Sequence, residues 1–314
     1  MAEELKLNRP WLVAVWPGMG HVAISAGYFL VAKLGMHILA EFSAHELFDV
    51  EHVEVKGGLI RMGRLPRSRF FVWKDPNEKH DIVVFTGDAQ PPMGRYAFCK
   101  RLIEFARQLG IERVYTFAAM ATPMHPEHAS RVFGAATDEE GLAELGRLEL
   151  EILEDGQIGG LNGVLLGVAA ESKMRGACLL GEMPHIFAQL PFPKASLAVL
   201  EAFTTIANIQ IDLSELSEQA REVEHKLGEL LEKVKEALED QQETESVGDE
   251  EVPEFEPAVV EEGPTLADRE QIEDLFRQAQ QNRSKAYELK RILDRLDLYR
   301  EYEDRFLDLF KKPE

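Results

Sequence analysis

Short apolar runs punctuated by glycine and proline alternate with stretches of helical spacing over the first 211 residues. Residues 11–16, WLVAVW, form such a run and stop at Pro17. That length and those flanks predict a buried strand. Residues 21–34 follow as a helix closed by Gly35, and residues 37–42 as a second strand. Residues 53–55 and 59–62 flank Gly57-Gly58 and predict a hairpin. Strands are expected at 70–73, 82–85, 114–118, 132–136 and 177–180. Helices are expected at 94–109, 161–172 and 193–208, with Asp138 capping a shorter one. Strand–helix alternation of this kind implies an α/β fold, a mostly parallel sheet with helices on its faces. The hairpin at 53–62 makes that sheet mixed.

The pattern changes at residue 212. Leu213, Leu216, Ala220, Val223, Leu227, Leu230 and Val234 alternate spacings of three and four, an a/d seam of about three heptads. Such a helix packs either on its own domain or against another helix. Residues 239–262 carry 11 acidic side chains and no basic one, and prolines stand at 253, 257 and 264. That composition predicts a disordered linker. Helix resumes at Leu266, where Leu289, Ile292, Leu296, Tyr299, Phe306 and Phe310 form one apolar stripe. The stripe needs a cover: the core, the heptad helix, another subunit or a partner. The expected organisation is an α/β domain at 1–211, a heptad helix at 212–240, an acidic linker at 241–264 and an amphipathic helical segment at 265–314.

Charge sharpens this division. Of 314 residues, 35 are Lys or Arg and 56 Asp or Glu, a formal net charge of −21. Residues 212–314 hold 15 basic against 31 acidic side chains, so most of the excess lies there. The balance argues against nucleic acid, which binds through Lys and Arg on phosphates. Arg61, Arg64, Arg67 and Arg69 are the nearest approach to a basic patch and read as a solvated strand–loop–strand. Cys99 and Cys178 lie in apolar stretches, as buried thiols do. The polar first ten residues show no signal core. No stretch approaches the ~20 apolar residues that span a bilayer. A cytoplasmic protein without a membrane contact is expected.

Four glycine loops stand where apolar runs end: residues 17–20, 86–90, 159–163 and 181–182. At the carboxyl ends of parallel strands such loops gather on one rim, where ligands bind in open α/β sheets. The ligand candidates there are Gly18, Gly20, Asp88, Gln90, Asn162 and Glu182. Residues 18–23 fit the dinucleotide pattern G-x-G-x-x-A, with Glu41 at the distance of a ribose-binding acid. That pattern is permissive, and a tight strand-to-helix turn satisfies it equally. Asp88 and Glu182 could bind a metal, act as acid and base, or cap helix N-termini. Asn162, between glycines at a helix start, reads as a cap. His125 and His128 flank Pro126, which spoils metal-ligand spacing, so a polar loop is expected. No P-loop or nucleophile elbow is present. No catalytic residue, metal or cofactor is assigned.

Read in order, these motifs resemble the proteasome assembly chaperone two family, its bacterial and archaeal members in particular. The resemblance runs from Pro17-Gly18-Met19-Gly20 through Gly57-Gly58, Thr86-Gly87-Asp88-Ala89-Gln90-Pro91 and residues 115–119 and 132–137. It continues through Gly160-Leu161-Asn162-Gly163 and Leu180-Gly181-Glu182 and ends at residues 211–216. No single motif is specific; the ordered set is. The resemblance implies a phosphorylase/hydrolase-like fold and self-association, and in eukaryotes such proteins help build the ring of proteasome α subunits. Prokaryotic members are often labelled ATP-grasp, without any catalytic motif appearing here. Some archaeal members end in a hydrophobic-Tyr-any tripeptide that docks into proteasome pockets. This chain ends Lys312-Pro313-Glu314, which puts docking by that route in doubt.

The function expected is therefore a non-enzymatic, self-assembling chaperone-like scaffold: a homo-oligomer with a proteasome-related protein partner. Leu216, Val223, Leu227, Leu230, Val234, Leu296, Tyr299 and Phe306 are the candidate oligomer or partner contacts. The alternative is a nucleotide- or small-molecule-binding enzyme of ligase or phosphorylase type, working at the glycine rim.

Overall fold

The computed structural model describes residues 6–49, 53–148, 150–244 and 264–311. Its centre is an eight-stranded sheet in the order β2-β5-β6-β1-β7-β10-β8-β9. The strands are β1 (Trp11–Val15), β2 (His37–Glu41), β5 (Ser68–Trp73), β6 (Ile82–Gly87), β7 (Arg113–Thr122), β8 (Val132–Ala136), β9 (Glu151–Ile152) and β10 (Arg175–Pro184). β6, β1, β7 and β10 are mutually parallel. β3 (Val53–Lys56) and β4 (Leu59–Met62) make a separate two-stranded sheet. The hairpin is real, but it is not what makes the main sheet mixed. β5 runs against β6 and β2, and β8 runs against β10.

Alternation along β1 divides the core. Val13 and Val15 face one apolar cluster, and Leu12, Ala14 and Trp16 the other. The second cluster is covered by α2 (Arg95–Gln108) and α4 (Gly160–Glu171). The first is covered by α1 (Val22–Lys33), α5 (Pro193–Ala207) and α6 (Ser214–Thr244). A short α3 (Glu139–Arg147) is capped by Asp138, whose carboxylate accepts the Gly141 N–H at 2.7 Å.

The apolar stripe near the C-terminus finds its cover inside the chain. α7 (Leu266–Gln281), α8 (Ala286–Arg295) and α9 (Tyr299–Asp308) continue the first cluster outward over α1. That is why α1 (VAISAGYFLVAK) is apolar nearly all round: the sheet lies on one side and these helices on the other. Tyr287 meets Phe29 at 4.9 Å between ring centroids, and Phe310 meets Phe71 at 5.7 Å. The Phe310 carbonyl accepts the Ile38 N–H at 2.9 Å, which ties the end of the chain to the edge strand β2.

Within α6, Leu216, Ala220 and Leu227 are buried and Val223 is half-buried. Leu216, Val223 and Leu227 pack on the chain's own core. Leu230 is exposed, and the Val234 side chain lies outside the described residues. α6 continues to Thr244, past the start expected for the acidic linker; residues 245–263 lie outside the described residues. Among the described residues no helix is long and apolar enough to cross a membrane.

Candidate functional site

The carboxyl ends of β1, β6, β7 and β10 share one rim, and α1, α2, α4 and α5 start from it. Gln90 ties three of the glycine loops together there. Its Nε2 donates to the Pro17 carbonyl at 3.3 Å, and its Oε1 accepts the Leu161 N–H at 3.0 Å. Gly160 has φ +67, and a Cβ on it would lie 2.7 Å from Gln90 Oε1, so the approach of α4 to Gln90 requires glycine. Asn162 is not a helix cap: Gly159 holds the cap position, and the Asn162 carbonyl accepts the Thr116 hydroxyl.

The dinucleotide-like loop is already occupied by its own chain. Gly20 donates its N–H to the Ala188 carbonyl at 2.9 Å, and His21 donates to Gly18 at 3.0 Å. Gly20 has φ +58, and a Cβ there would meet Met183 Sδ at 2.6 Å. A pyrophosphate needs free N–H groups and close backbone approach. This loop turns the Gly20 and His21 amides onto its own chain, and Gly20 serves a tight turn. Glu41 lies 3.9 Å from the Arg69 guanidinium rather than at a ribose position.

Gly181 and Glu182 do not form a loop; they lie within β10. Glu182 is almost fully buried and bound on several sides. Arg131 donates to it through Nε at 2.8 Å and Nη2 at 2.7 Å, and the Thr122 hydroxyl donates at 2.7 Å. The Arg131 guanidinium, foremost, holds this carboxyl below the usual carboxylate range despite its burial. A group whose folded pKa is depressed contributes stability above its unfolded pKa and loses it as pH falls through the folded one. Glu182→Gln is therefore expected to cost about 1–3 kcal/mol at pH 7, a loss that shrinks below about pH 4. Urea titrations at both pH values measure it; an equal deficit at both would refute the assignment.

Asp88 is the rim carboxylate with the richest surroundings. It is no helix cap. Its Oδ2 accepts the Arg67 N–H at 2.9 Å, and its Oδ1 lies 3.3 Å from Arg69 Nη1. Burial raises its pKa, with Arg69 opposing. Arg69, which the sequence pattern placed in a solvated run, is fully buried in β5. Its Nη2 donates to the buried Glu303 of α9. Lys290 of α8, also buried, holds Asp294 at 2.6 Å and lies 3.8 Å from the Tyr299 ring centroid. The Tyr28 and Tyr299 hydroxyls meet at 3.1 Å, and burial raises both phenol pKa values and lowers that of Lys290. Of the candidates for a partner contact, Phe306 is buried in this region, and Tyr299 and Leu296 are half-buried against the same core.

Between this charged seam, the rim and the foot of the hairpin lies a cavity of about 750 Å³, lined by Pro17, Tyr28, Arg61, Asp88, Lys290 and Tyr299 among others. Its buried charges pair with one another. Among the described residues no group of three or more His, Cys, Asp or Glu is placed to hold a metal. Cys99 and Cys178 are buried, and desolvation pushes both thiols up to about 12. The His125 loop is held by its own turn: His128 N–H donates to the His125 carbonyl at 3.0 Å.

What the rim does expose is apolar. Thirteen large apolar residues are exposed among the described residues, and only Leu142 and Leu266 lie away from it. Met19 follows β1, Met93 and Tyr96 follow β6, and Ile186 and Leu190 follow β10. Five more belong to the β3–β4 hairpin, inserted between the rim ends of β2 and β5. Leu230 lies where α6 passes the rim, beside the Glu127 loop and near the Glu232–His125 contact. Of the six residues expected at the glycine rim, Gly18, Gly20, Asp88 and Gln90 stand in loops after strands, Asn162 in the first turn of α4 and Glu182 within β10; the apolar surface carries no signal in the sequence pattern, although Met19, Met93, Ile186 and Leu190 all stand in the turns that follow strands.

The family model described as the PAC2 family matches residues 12–231. An uncharacterized protein of Methanocaldococcus jannaschii is 27% identical over 232 residues, 73% of this chain and 84% of the relative. The Pyrococcus furiosus protein PbaB, described as an archaeal proteasome activator, superposes with a TM-score of 0.61 at 29% identity. That likeness covers 74% of this chain and 96% of PbaB. A PAC2 family protein of Streptomyces avermitilis gives a TM-score of 0.60 at 26% identity, over 70% of this chain and 95% of its own. Helices α7–α9 lie beyond the family match.

Proposed function

The chain belongs to the PAC2 family, and on that premise we propose that it is a non-enzymatic, chaperone-like protein-binding scaffold that assembles with copies of itself. A proteasome-related protein is its partner in this reading, by analogy with PbaB. The observation that carries it is the concentration of exposed apolar side chains on one rim. Patches of this kind mark protein interaction sites. The Gly20 and His21 amides of the dinucleotide-like loop are committed within the chain, and the carboxylates of Asp88 and Glu182 are held by arginines.

Co-sedimentation with purified archaeal proteasome core particles tests the partner. The full chain is expected to bind, and Met19→Asp/Leu190→Asp to weaken binding at least tenfold while leaving the melting temperature unchanged. The cavity of about 750 Å³ supports the second reading, a small-molecule site. Absence of binding, together with a nucleotide or phosphorylated metabolite that raises the melting temperature, would replace the first reading with the second.

A further inference from the structure

The sulfur-bearing side chains of this protein divide by position. Cys99 and Cys178 are buried, and burial keeps both thiols far from the reactive thiolate form. Met36, Met174 and Met183 are buried, and Met120 and Met124 are half-buried. The other described methionines are exposed: Met19 46%, Met62 68% and Met93 78%. All three stand on the apolar rim. Met19 follows β1, Met93 follows β6, and Met62 lies on β4. Met62 lines the 750 Å³ cavity together with Pro17 and Ala89, which stand two residues before Met19 and four before Met93. The sulfur most open to an oxidant is therefore thioether, and it lies on the surface that a protein partner would cover.

We propose that Met19, Met62 and Met93 are oxidation sites through which a hydroperoxide turns off partner binding, because their sulfoxides make the rim polar while the fold stays intact. The inference deepens the reading of the rim as the partner-binding surface and rests on it. The chemistry balances without a thiol. A thioether lone pair attacks one oxygen of hydrogen peroxide. An S–O bond forms as the O–O bond breaks, and the second oxygen leaves as water with both hydrogens. Sulfur gives up two electrons and the peroxide takes them. The product is a polar, chiral side chain in place of a flexible apolar one. In the free protein these three sites are exposed, so the new oxygen is hydrated and the core is untouched. Beneath a partner the same oxygen loses its water, and an unpaired polar group carries the full desolvation penalty. Three such groups on one rim act against the same contact. The step is reversible: two thiol equivalents carry the oxygen off as water and become a disulfide, with one methionine sulfoxide reductase for each sulfoxide epimer.

Graded hydrogen peroxide treatment of the full chain, followed by peptide mapping, reads the sites. Met19, Met62 and Met93 are expected to oxidise fully while Met36, Met174 and Met183 stay reduced and the melting temperature is unchanged. After removal of the peroxide, co-sedimentation with archaeal proteasome core particles should show affinity at least tenfold lower. Both sulfoxide reductases with dithiothreitol should restore it. Met19→Leu/Met62→Leu/Met93→Leu keeps the surface apolar at nearly constant volume. This variant should bind as wild type does and keep its affinity after the same peroxide dose. It retains Met120, Met124 and Met1, the last outside the described residues, so a loss acting through any of these would persist in it and overturn the assignment. Oxidation of the buried methionines at the same dose, with a falling melting temperature, overturns it as well. Undiminished binding by the oxidised wild type overturns the inference and leaves the rim reading standing. Failure of the untreated chain to bind overturns the partner reading and the inference together.

Discussion

Arg69→Met is expected to destabilise the protein by about 3–5 kcal/mol at neutral pH, because it removes one partner of a buried charge cluster and leaves the others. Arg69 is fully buried and is the cation shared by Asp88 and Glu303. Methionine fills most of the volume, so the loss reports electrostatics more than packing. Glu303 is nearly as buried as Arg69, and its carboxylate would have no other ion-pair partner among the described residues. Removing both charges restores the balance, so Arg69→Met/Glu303→Leu should recover at least half of the loss. The pH dependence has a fixed sign. Burial already raises the Asp88 pKa, and Arg69 is the chief influence opposing it. Without Arg69 the folded state of the variant binds protons more readily than its unfolded state. Its deficit against wild type must therefore shrink as pH falls from 7 toward 5. Equilibrium urea unfolding of the three proteins at both pH values tests this. A deficit under 1 kcal/mol, or one that grows in acid, would show that the cluster does not hold the fold as described.

Arg69 also marks where sequence reasoning stopped. Strand alternation places Arg69 on the same face as Phe71, which belongs to the apolar cluster under the C-terminal helices. That periodicity was available in the sequence. What it could not supply was the partner, because Glu303 lies 234 residues away in the chain. The central strands were legible for the opposite reason: their apolar runs are bounded by glycine and proline within a few residues, and parallel strands buried on both faces carry no competing polar signal. The direction of β5 and β8 was not legible, since a short apolar run has the same pattern in either sense. Gly181-Glu182 reads as a turn because the apolar run at 177–180 ends there. In β10 the acid is instead kept in the sheet by Arg131, which stands one residue before β8.

The candidate site shows the same division. The glycines, Asp88 and Gln90 were found by their place after strands, and the structure brings them to one rim. Their role differs from a ligand-binding one because the groups that consume their hydrogen bonds come from elsewhere: Ala188 for the Gly20 amide, Arg67 and Arg69 for Asp88, and the Leu161 amide for Gln90. A local motif fixes backbone shape but not what already fills it. The apolar rim was missed because each of its residues stands alone in a turn, and only the folded chain makes them neighbours.

The heaviest loss after Arg69 is expected from Phe306→Ala, about 3–5 kcal/mol. Phe306 is 1% exposed and packs edge-on or tilted against Tyr28, Tyr299 and Phe310 at 6.2, 5.6 and 5.4 Å between ring centroids. Truncation leaves a cavity between α1 and α9, which belong to one continuous apolar cluster. The cost should therefore fall on the whole domain rather than on the C-terminal helices alone. Three tryptophans allow the two cases to be separated. Trp11, Trp16 and Trp73 all belong to the sheet or border it, so their fluorescence follows the sheet, whereas far-ultraviolet circular dichroism follows every helix. If α7–α9 are integral to the core, both signals shift together to lower urea in Phe306→Ala, with coincident midpoints. If those helices formed an independent module, the dichroism would show an early transition and the tryptophan midpoint would stay at its wild-type value. Coincidence would mean that a segment beyond the family match is as much a part of this protein's core as the shared sheet is.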